Sequence, residues 1–225
     1  MTVNLAFIHT VPSLVNLFTD LSKELLPDDV GILHIADEIL LKTVLAHGSL
    51  SPFIYRRVAE HVIAAEQAGA HLVQLTCSSI SPCADTAQMM VDIPVLKIDE
   101  SMVDRAVRLG SRIGVVATAP TTLKPTTELV YDRARYYEKE VVVDSLLCAG
   151  AYTALFSGDI QTHDRIVREH MLDLMSRNDV VLLAQASMAR VADTIPTAEQ
   201  VVPILSSPRP AMERARQVIQ QQAAG

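Results

Sequence analysis

The sequence predicts an α/β fold of two lobes related by pseudo-two-fold symmetry, each a four-stranded parallel sheet flanked by helices. Three observations carry this. Short apolar runs of strand length alternate with longer stretches of helical period, and several of the runs are apolar throughout, as in parallel strands covered on both faces. The chain also resembles itself at a fixed offset. Asn4–Leu14 (NLAFIHTVPSL) aligns with Arg112–Thr122 (RIGVVATAPTT), which brings Thr10 onto Thr118 and Pro12 onto Pro120. The same offset of 108 residues lays His71–Ser81 (HLVQLTCSSIS) on Asp179–Ala189 (DVVLLAQASMA) without a gap, and Ile93–Leu96 follows on Val202–Leu205 at 109. A register held across the intervening residues points to duplication.

In chain order, the apolar runs place strands at Val3–His9, Val30–Ile35, Leu72–Thr76 and Val95–Ile98, then at Ile113–Ala117, Val141–Leu146, Val180–Ala184 and Val202–Leu205. No basic leader precedes the first run and no small-residue cleavage pattern follows it, so it reads as a strand of a cytoplasmic protein. Amphipathic helices fill the gaps: Phe53–Ala68 stopped by Gly69, Ser101–Leu109 stopped by Gly110, and Asp164–Ser176. Pro82 after Ser81 marks a helix start with Pro in the first helical position. His163 and His170 are read on an exposed helix face, and Glu213–Gln222 as a surface helix. The lobes are expected at 1–108 and 109–207, with a helix at about 208–225 available to pack back onto the first, and the site in the cleft between them.

Composition narrows the function. Of 225 residues 49% are apolar, enough for real cores, and the formal charge of −7 comes without any run of Lys and Arg. Nucleic acid and anionic membrane surfaces are therefore not expected partners. The longest apolar stretch, Val180–Met188 interrupted by Gln185, falls short of the roughly 20 residues that cross a bilayer. Cys77, Cys83 and Cys148 are an odd count at spacings of no disulfide framework or zinc module, and read as free thiols. No metal motif is present, and with eight glycines no Gly-rich loop follows a strand, so neither metal nor nucleotide cofactor is expected.

In open α/β sheets ligands sit beyond the carboxyl ends of the strands. The candidates are therefore His9 and Thr10, then Cys77, Ser78 and Ser79, then Thr118 to Thr122, and Gln185 to Ser187. Self-alignment makes Cys77 and Gln185 equivalents. Cys77 stands after a strand, among three serines and before a helix, a setting for a reactive thiol. Cys83 and Cys148 read as packing residues.

These residues match a known pattern. The thiol in TCSSISP, the Ile-Gly-Val-Val-Ala-Thr-x-x-Thr run at Ile113–Thr121 and the Ile-Pro-Val at Ile93–Val95 resemble the aspartate/glutamate racemase superfamily, which also holds hydantoin racemases, maleate isomerases and arylmalonate decarboxylases. The resemblance spans nearly the whole chain. It implies a dimeric enzyme, independent of cofactors, that acts on a small carboxylate with two cysteines, one per lobe. A proton leaves one face of the α-carbon and another returns, so a group is needed on each side. The enediolate formed between must be held by hydrogen-bond donors. By resemblance, Cys77 is the first thiol, and Thr10, Ser78, Ser79, Thr118, Thr121 and Thr122 cradle the carboxylate.

The chain departs from that pattern at Gln185, which stands where two-base members carry the second thiol. An amide exchanges no proton with carbon near pH 7, and Ser187, two residues on, is a poor substitute. A single-thiol reaction is expected, either isomerase or racemase-like or a lyase reaction, with Gln185 orienting the substrate. Two further readings stay open: a hydrolase in which His9 activates Cys77, and a carboxylate-binding protein without catalysis. Lys97, Arg56 and Arg57 are available cations whose default is solvation.

Overall fold

A computed structural model of the protein describes residues 3–224 and contains two parallel four-stranded sheets. The first is built from β1 (Asn4–His9), β2 (Gly31–Ala36), β3 (Leu72–Leu75) and β4 (Val95–Leu96) in the order β2-β1-β3-β4. The second, β5 (Arg112–Ala117), β6 (Val142–Leu147), β7 (Val180–Leu183) and β8 (Ile204–Ser206), repeats it as β6-β5-β7-β8. The helices between them are α1 (Leu14–Leu25), α2 (Glu38–His47), α3 (Pro52–Gln67), α4 (Cys83–Gln88), α5 (Glu100–Leu109), α6 (Pro120–Tyr136), α7 (Ala151–Phe156), α8 (Ile160–Met175), α9 (Ala189–Asp193) and α10 (Pro208–Ala224). The two-sheet α/β architecture read from the sequence is thus the observed one.

The central strands are buried on both faces, which is why they read as unbroken apolar runs. In β1, Leu5 and Phe7 pack on Phe18 of α1 and on Met212 and Ala215 of α10. Ala6 and Ile8, on the opposite face, meet Ile54, Val58 and Val62 of α3 and Cys83 and Ala87 of α4. In the second sheet, Ile113 and Val115 pack on α5 and α6, whereas Val116, Val181 and Leu183 pack on Val167, Met171 and Leu174 of α8.

The chain divides into one unit running to Ile98 and resuming at Pro208, and a second of Asp99–Ser207. The junction lies at 98/99 rather than at 108/109, because the apolar stripe of α5, Met102, Val103, Ala106 and Val107, is buried with Ile113, Val115 and Val130 of the second unit. α10, the counterpart of α5 at the repeat offset, belongs to the first unit. Each repeat therefore gives its last helix to the other unit's core. α10 is more than a surface helix: Ala211, Met212, Ala215, Val218 and Ile219 are buried, and each of the larger side chains contributes about 2 kcal/mol relative to exposure.

Two local readings shift. α8 begins at Ile160 rather than Asp164, with Asp159 as its cap accepting from Thr162 N at 3.0 Å, and this turn carries His163 into full burial. Pro82 precedes α4 as its cap residue, after a one-turn 3-10 helix at Ser78–Ile80.

Candidate active site

In the first unit the ends of three strands supply the site residues. β1 pairs with β2 at His9↔Ala36 and with β3 at Ile8↔Leu75. The ladders run one step further through Asp37 N→His9 O at 2.9 Å and Thr76 N→Ile8 O at 3.1 Å. Thr10, Asp37 and Cys77 thus emerge in one row from neighbouring strands.

Cys77 is extended (φ −139°, ψ 121°) and caps the 3-10 turn Ser78–Ile80. The backbone N–H groups of Ser79 and Ile80 and the hydroxyls of Thr10 and Ser79 surround the sulfur, although Cys77 makes no side-chain capping bond and Thr10 Oγ1 is buried without a hydrogen-bond partner among the described residues. Burial pushes the thiol above its ordinary range, and these four groups pull part of that rise back. The thiol is half-buried, while Ser78 and Ser79 beside it are buried. Cys83 and Cys148 lie fully inside apolar clusters, with thiols pushed up to about 12 by burial. Both are core residues.

His9 is not brought to Cys77. Alternation turns it to the other face of the sheet, where its ring stacks on Phe7 and His34 and packs against Phe18. Both nitrogens are spent, Nδ1 on Thr76 Oγ1 at 2.9 Å and Nε2 on His34 Nδ1 at 2.9 Å. Thr76 donates to Ile8 O, so it accepts from His9, whose Nε2 then accepts from His34. His34 in turn meets Thr19 of α1 at 3.1 Å. Burial and the adjacent His34 hold His9 down to about 4, so the ring is neutral at pH 7.

Asp37, Arg57 and His61 form a cluster that motif reading missed. Asp37 is buried and caps α2 through Ile39 N at 3.0 Å. Its other oxygen takes Arg57 Nε and His61 Nε2, the latter at 2.7 Å. Burial would raise this carboxyl, but the bonds from Arg57, His61 and Ile39 hold it below the usual carboxylate range. A signal existed: an Asp just before a helical apolar run, and a basic pair spaced four apart on one helix face. Lys97 is taken by Asp85 at 2.7 Å, and Arg56 lies 3.5 Å from Glu60 on the surface.

The second unit repeats the pattern with different chemistry. Gln185 is extended (φ −133°, ψ 137°) and caps the 3-10 turn Ala186–Met188. Its Oε1 accepts from Thr118 N at 2.6 Å and from Thr118 Oγ1 at 2.9 Å. With the oxygen so fixed, Nε2 makes no hydrogen bond among the described residues, and its two donors are open to a ligand. Thr118, Thr121 and Thr122 are buried, the last two in the first turn of α6 after Pro120, and Ser187 is half-buried in the 3-10 turn. Among the described residues no group of three or more His, Cys, Asp and Glu side chains could hold a metal ion, and no helix is long and apolar enough to cross a membrane.

Comparison with known proteins agrees with this architecture. The family model for Asp/Glu/Hydantoin racemase matches residues 48–215. No curated protein matches the sequence. Solved structures do. Allantoin racemase from Klebsiella pneumoniae superposes with a TM-score of 0.71 at 16% identity, over 98% of this chain and 89% of that one. Glutamate racemase from Francisella tularensis, solved with D-glutamate, gives 0.76 at 14% identity over 99% and 82%. The glutamate racemase of Bacillus anthracis gives 0.71 at 16% over 98% and 82%. At these identities the likeness establishes the fold.

Proposed function

Because the chain belongs to the Asp/Glu/hydantoin racemase family, and so to enzymes of the isomerase type, we propose that it moves a proton at the carbon beside the carboxylate of a small carboxylic acid, with Cys77 as its single catalytic thiol. The observation that supports this is a half-buried thiol at a strand end, at the N-cap of a 3-10 turn, with the polar groups of Thr10, Ser79 and Ile80 around it.

In the proposed cycle the Cys77 thiolate takes the α-proton. The C–H bond breaks, an S–H bond forms, and the electron pair moves into the carboxylate as an enediolate. Hydroxyl, N–H and amide donors suit that charge. Ser78, Ser79 and Thr10 in the first unit, and Thr121, Thr122, Ser187 and the Gln185 amide in the second, are assigned this role, with Thr118 acting through the Gln185 amide that it holds. The S–H hydrogen exchanges with solvent, and the thiol then delivers a solvent-derived proton to the carbon and is left as the thiolate. Gln185 cannot take part in proton transfer to carbon, so exchange proceeds on one face. His9 has no free nitrogen with which to activate the thiol, which speaks against the hydrolase reading.

Incubation with small amino, hydroxy and dicarboxylic acids in D2O, followed by proton NMR and chiral chromatography, tests the reading. Loss of the α-proton signal with configuration retained is expected. Racemisation as fast as exchange would contradict the role given to Gln185.

A further inference from the structure

His9 and His34 take no part in the proton transfer just described. With two threonines they form one chain of contacts that crosses four elements of the first unit. Thr19 Oγ1 of α1 lies 3.1 Å from His34 Nε2 of β2, His34 Nδ1 lies 2.9 Å from His9 Nε2 of β1, and His9 Nδ1 lies 2.9 Å from Oγ1 of Thr76, just after β3. Both terminal hydroxyls already give their hydrogens to backbone carbonyls, Thr19 to Val15 O at 2.8 Å and Thr76 to Ile8 O at 3.0 Å. Each threonine therefore offers the chain an acceptor and no donor.

The hydrogens can be counted. Three links need three of them, and two neutral imidazoles carry two. From the Thr76 end, His9 gives its Nδ1–H to Thr76 and His34 gives its Nδ1–H to His9. The unfilled link is then the one to α1, where the lone pair of His34 Nε2 faces the Thr19 oxygen. One added proton at that nitrogen fills it. A second proton, on His9 Nε2, would set N–H against N–H across the contact between the rings, which must then break. His34 is half-buried and His9 fully buried, so protons reach the chain through His34.

The surrounding elements hold charges of their own. On α1, Asp20 lies 3.8 Å from Lys23, and Glu24 takes Arg209 of α10 at 2.7 Å, all of them on the surface. Glu213 of α10 is half-buried, and Arg214 and Arg216 are exposed. Asp37, after β2, is spent on Arg57 and His61 of α3. The one charge acting on His9 is that of His34, and on His34 burial alone acts. Burial holds both rings below the ordinary histidine range, so the seated form of α1 is favoured at neutral pH and loses ground as pH falls.

We propose that His9 and His34 act as one proton-binding site in an acid-sensitive latch between α1 and the first sheet: the pair holds a single proton, on His34, while α1 stays seated, and a second proton releases α1.

Two-dimensional proton–nitrogen spectra of the histidine side chains, recorded from about pH 8 to about pH 3.5 beside amide hydrogen exchange, test it. At the alkaline end both rings are expected as the Nδ1–H tautomer. On acidification His34 is expected to become the imidazolium first, with His9 unchanged and the α1 amides still protected. When His9 protonates, protection of α1 is expected to fall at least about tenfold further than that of α3. Thr19→Val removes the acceptor at the α1 link and is expected to lower the His34 midpoint by about 0.5–1 pH unit, and Thr19→Ser to restore it. A neutral His34 carrying its proton on Nε2, or two imidazoliums with α1 still protected, overturns the proposal. So does loss of α1 and α3 protection together, or a His34 midpoint that ignores Thr19→Val.

Discussion

Thr118 gives both its backbone N–H and its hydroxyl to Oε1 of Gln185, at 2.6 and 2.9 Å. The residue at the matching position of the other repeat, Thr10, stands beside Cys77 with its hydroxyl buried and without a hydrogen-bond partner among the described residues. The duplication therefore preserves a threonine beside whichever residue stands at the N-cap of the turn after the third strand, bonded to that side chain in the second repeat. In one repeat that side chain can exchange a proton with carbon; in the other it can only hold one in place. Gln185 is an oriented donor, not a filler of space.

If Gln185 occupies the position of a second thiol, Gln185→Cys adds the missing group on the other face. The variant is expected to invert configuration at a rate comparable with its own exchange rate, measured by polarimetry alongside NMR. Exchange unchanged and inversion still absent would count against the equivalence. Thr118→Val leaves the amide oxygen with the backbone bond alone, and a loss of about 1 kcal/mol is expected in urea melts.

The thiol is favoured over the thiolate by burial, so a thiolate base gains population as pH rises. Exchange should climb about tenfold per pH unit from about pH 6 to about pH 9, without a plateau in that range. Initial rates in buffered D2O measure this. A plateau near pH 7 would mean that the donors around Cys77 outweigh its burial.

His9 offers a stability test. Its pKa stands at about 4 against an ordinary 6.5, chiefly through burial and then through His34. The unfolded chain takes up a proton near 6.5 that the folded ring refuses until about 4. The stability contributed by the neutral ring is full above about 6.5 and lost as pH falls through about 4, a decline on the order of 3 kcal/mol. Urea melts between those limits should show the slope, and His9→Gln should flatten it. An unchanged slope in the variant would place the protonation elsewhere.

Gly110 allows a close approach that no side chain fits. A Cβ there would lie 2.4 Å from Cβ of Asp179, whose carboxylate is pinned by Ser111 N and Arg112 N at 2.9 and 2.8 Å. Gly110→Ala is expected to cost about 1–3 kcal/mol in chemical denaturation without altering the exchange reaction. A neutral effect would show that the junction after α5 yields easily.

The strands were legible because parallel strands buried on both faces are written as continuous apolar runs, and the repeat because insertions between its halves fall outside β1, β3 and their following loops. The ownership of α5 was not legible. Its stripe of Met102, Val103, Ala106 and Val107 declares an amphipathic helix but not which sheet it covers. Strand-end logic nominated Thr10, Cys77, Thr118 and Gln185, which follow β1, β3, β5 and β7. It also nominated His9, which the strand's alternation turns to the opposite face from Cys77. Asp37 shows a cap signal, yet its partner Arg57 is joined to it only because α3 lies over the sheet. Such contacts depend on how a helix sits, and periodicity does not record that.

One thiol, Cys77, is proposed to perform the proton transfer. Solvent deuterium exchange by wild type, Cys77→Ala and Cys83→Ala, each checked for an unchanged fold by circular dichroism, addresses it most directly. Exchange should fall by at least about 10³-fold in Cys77→Ala and remain near wild type in a folded Cys83→Ala. Exchange at the wild-type rate in folded Cys77→Ala would contradict the account.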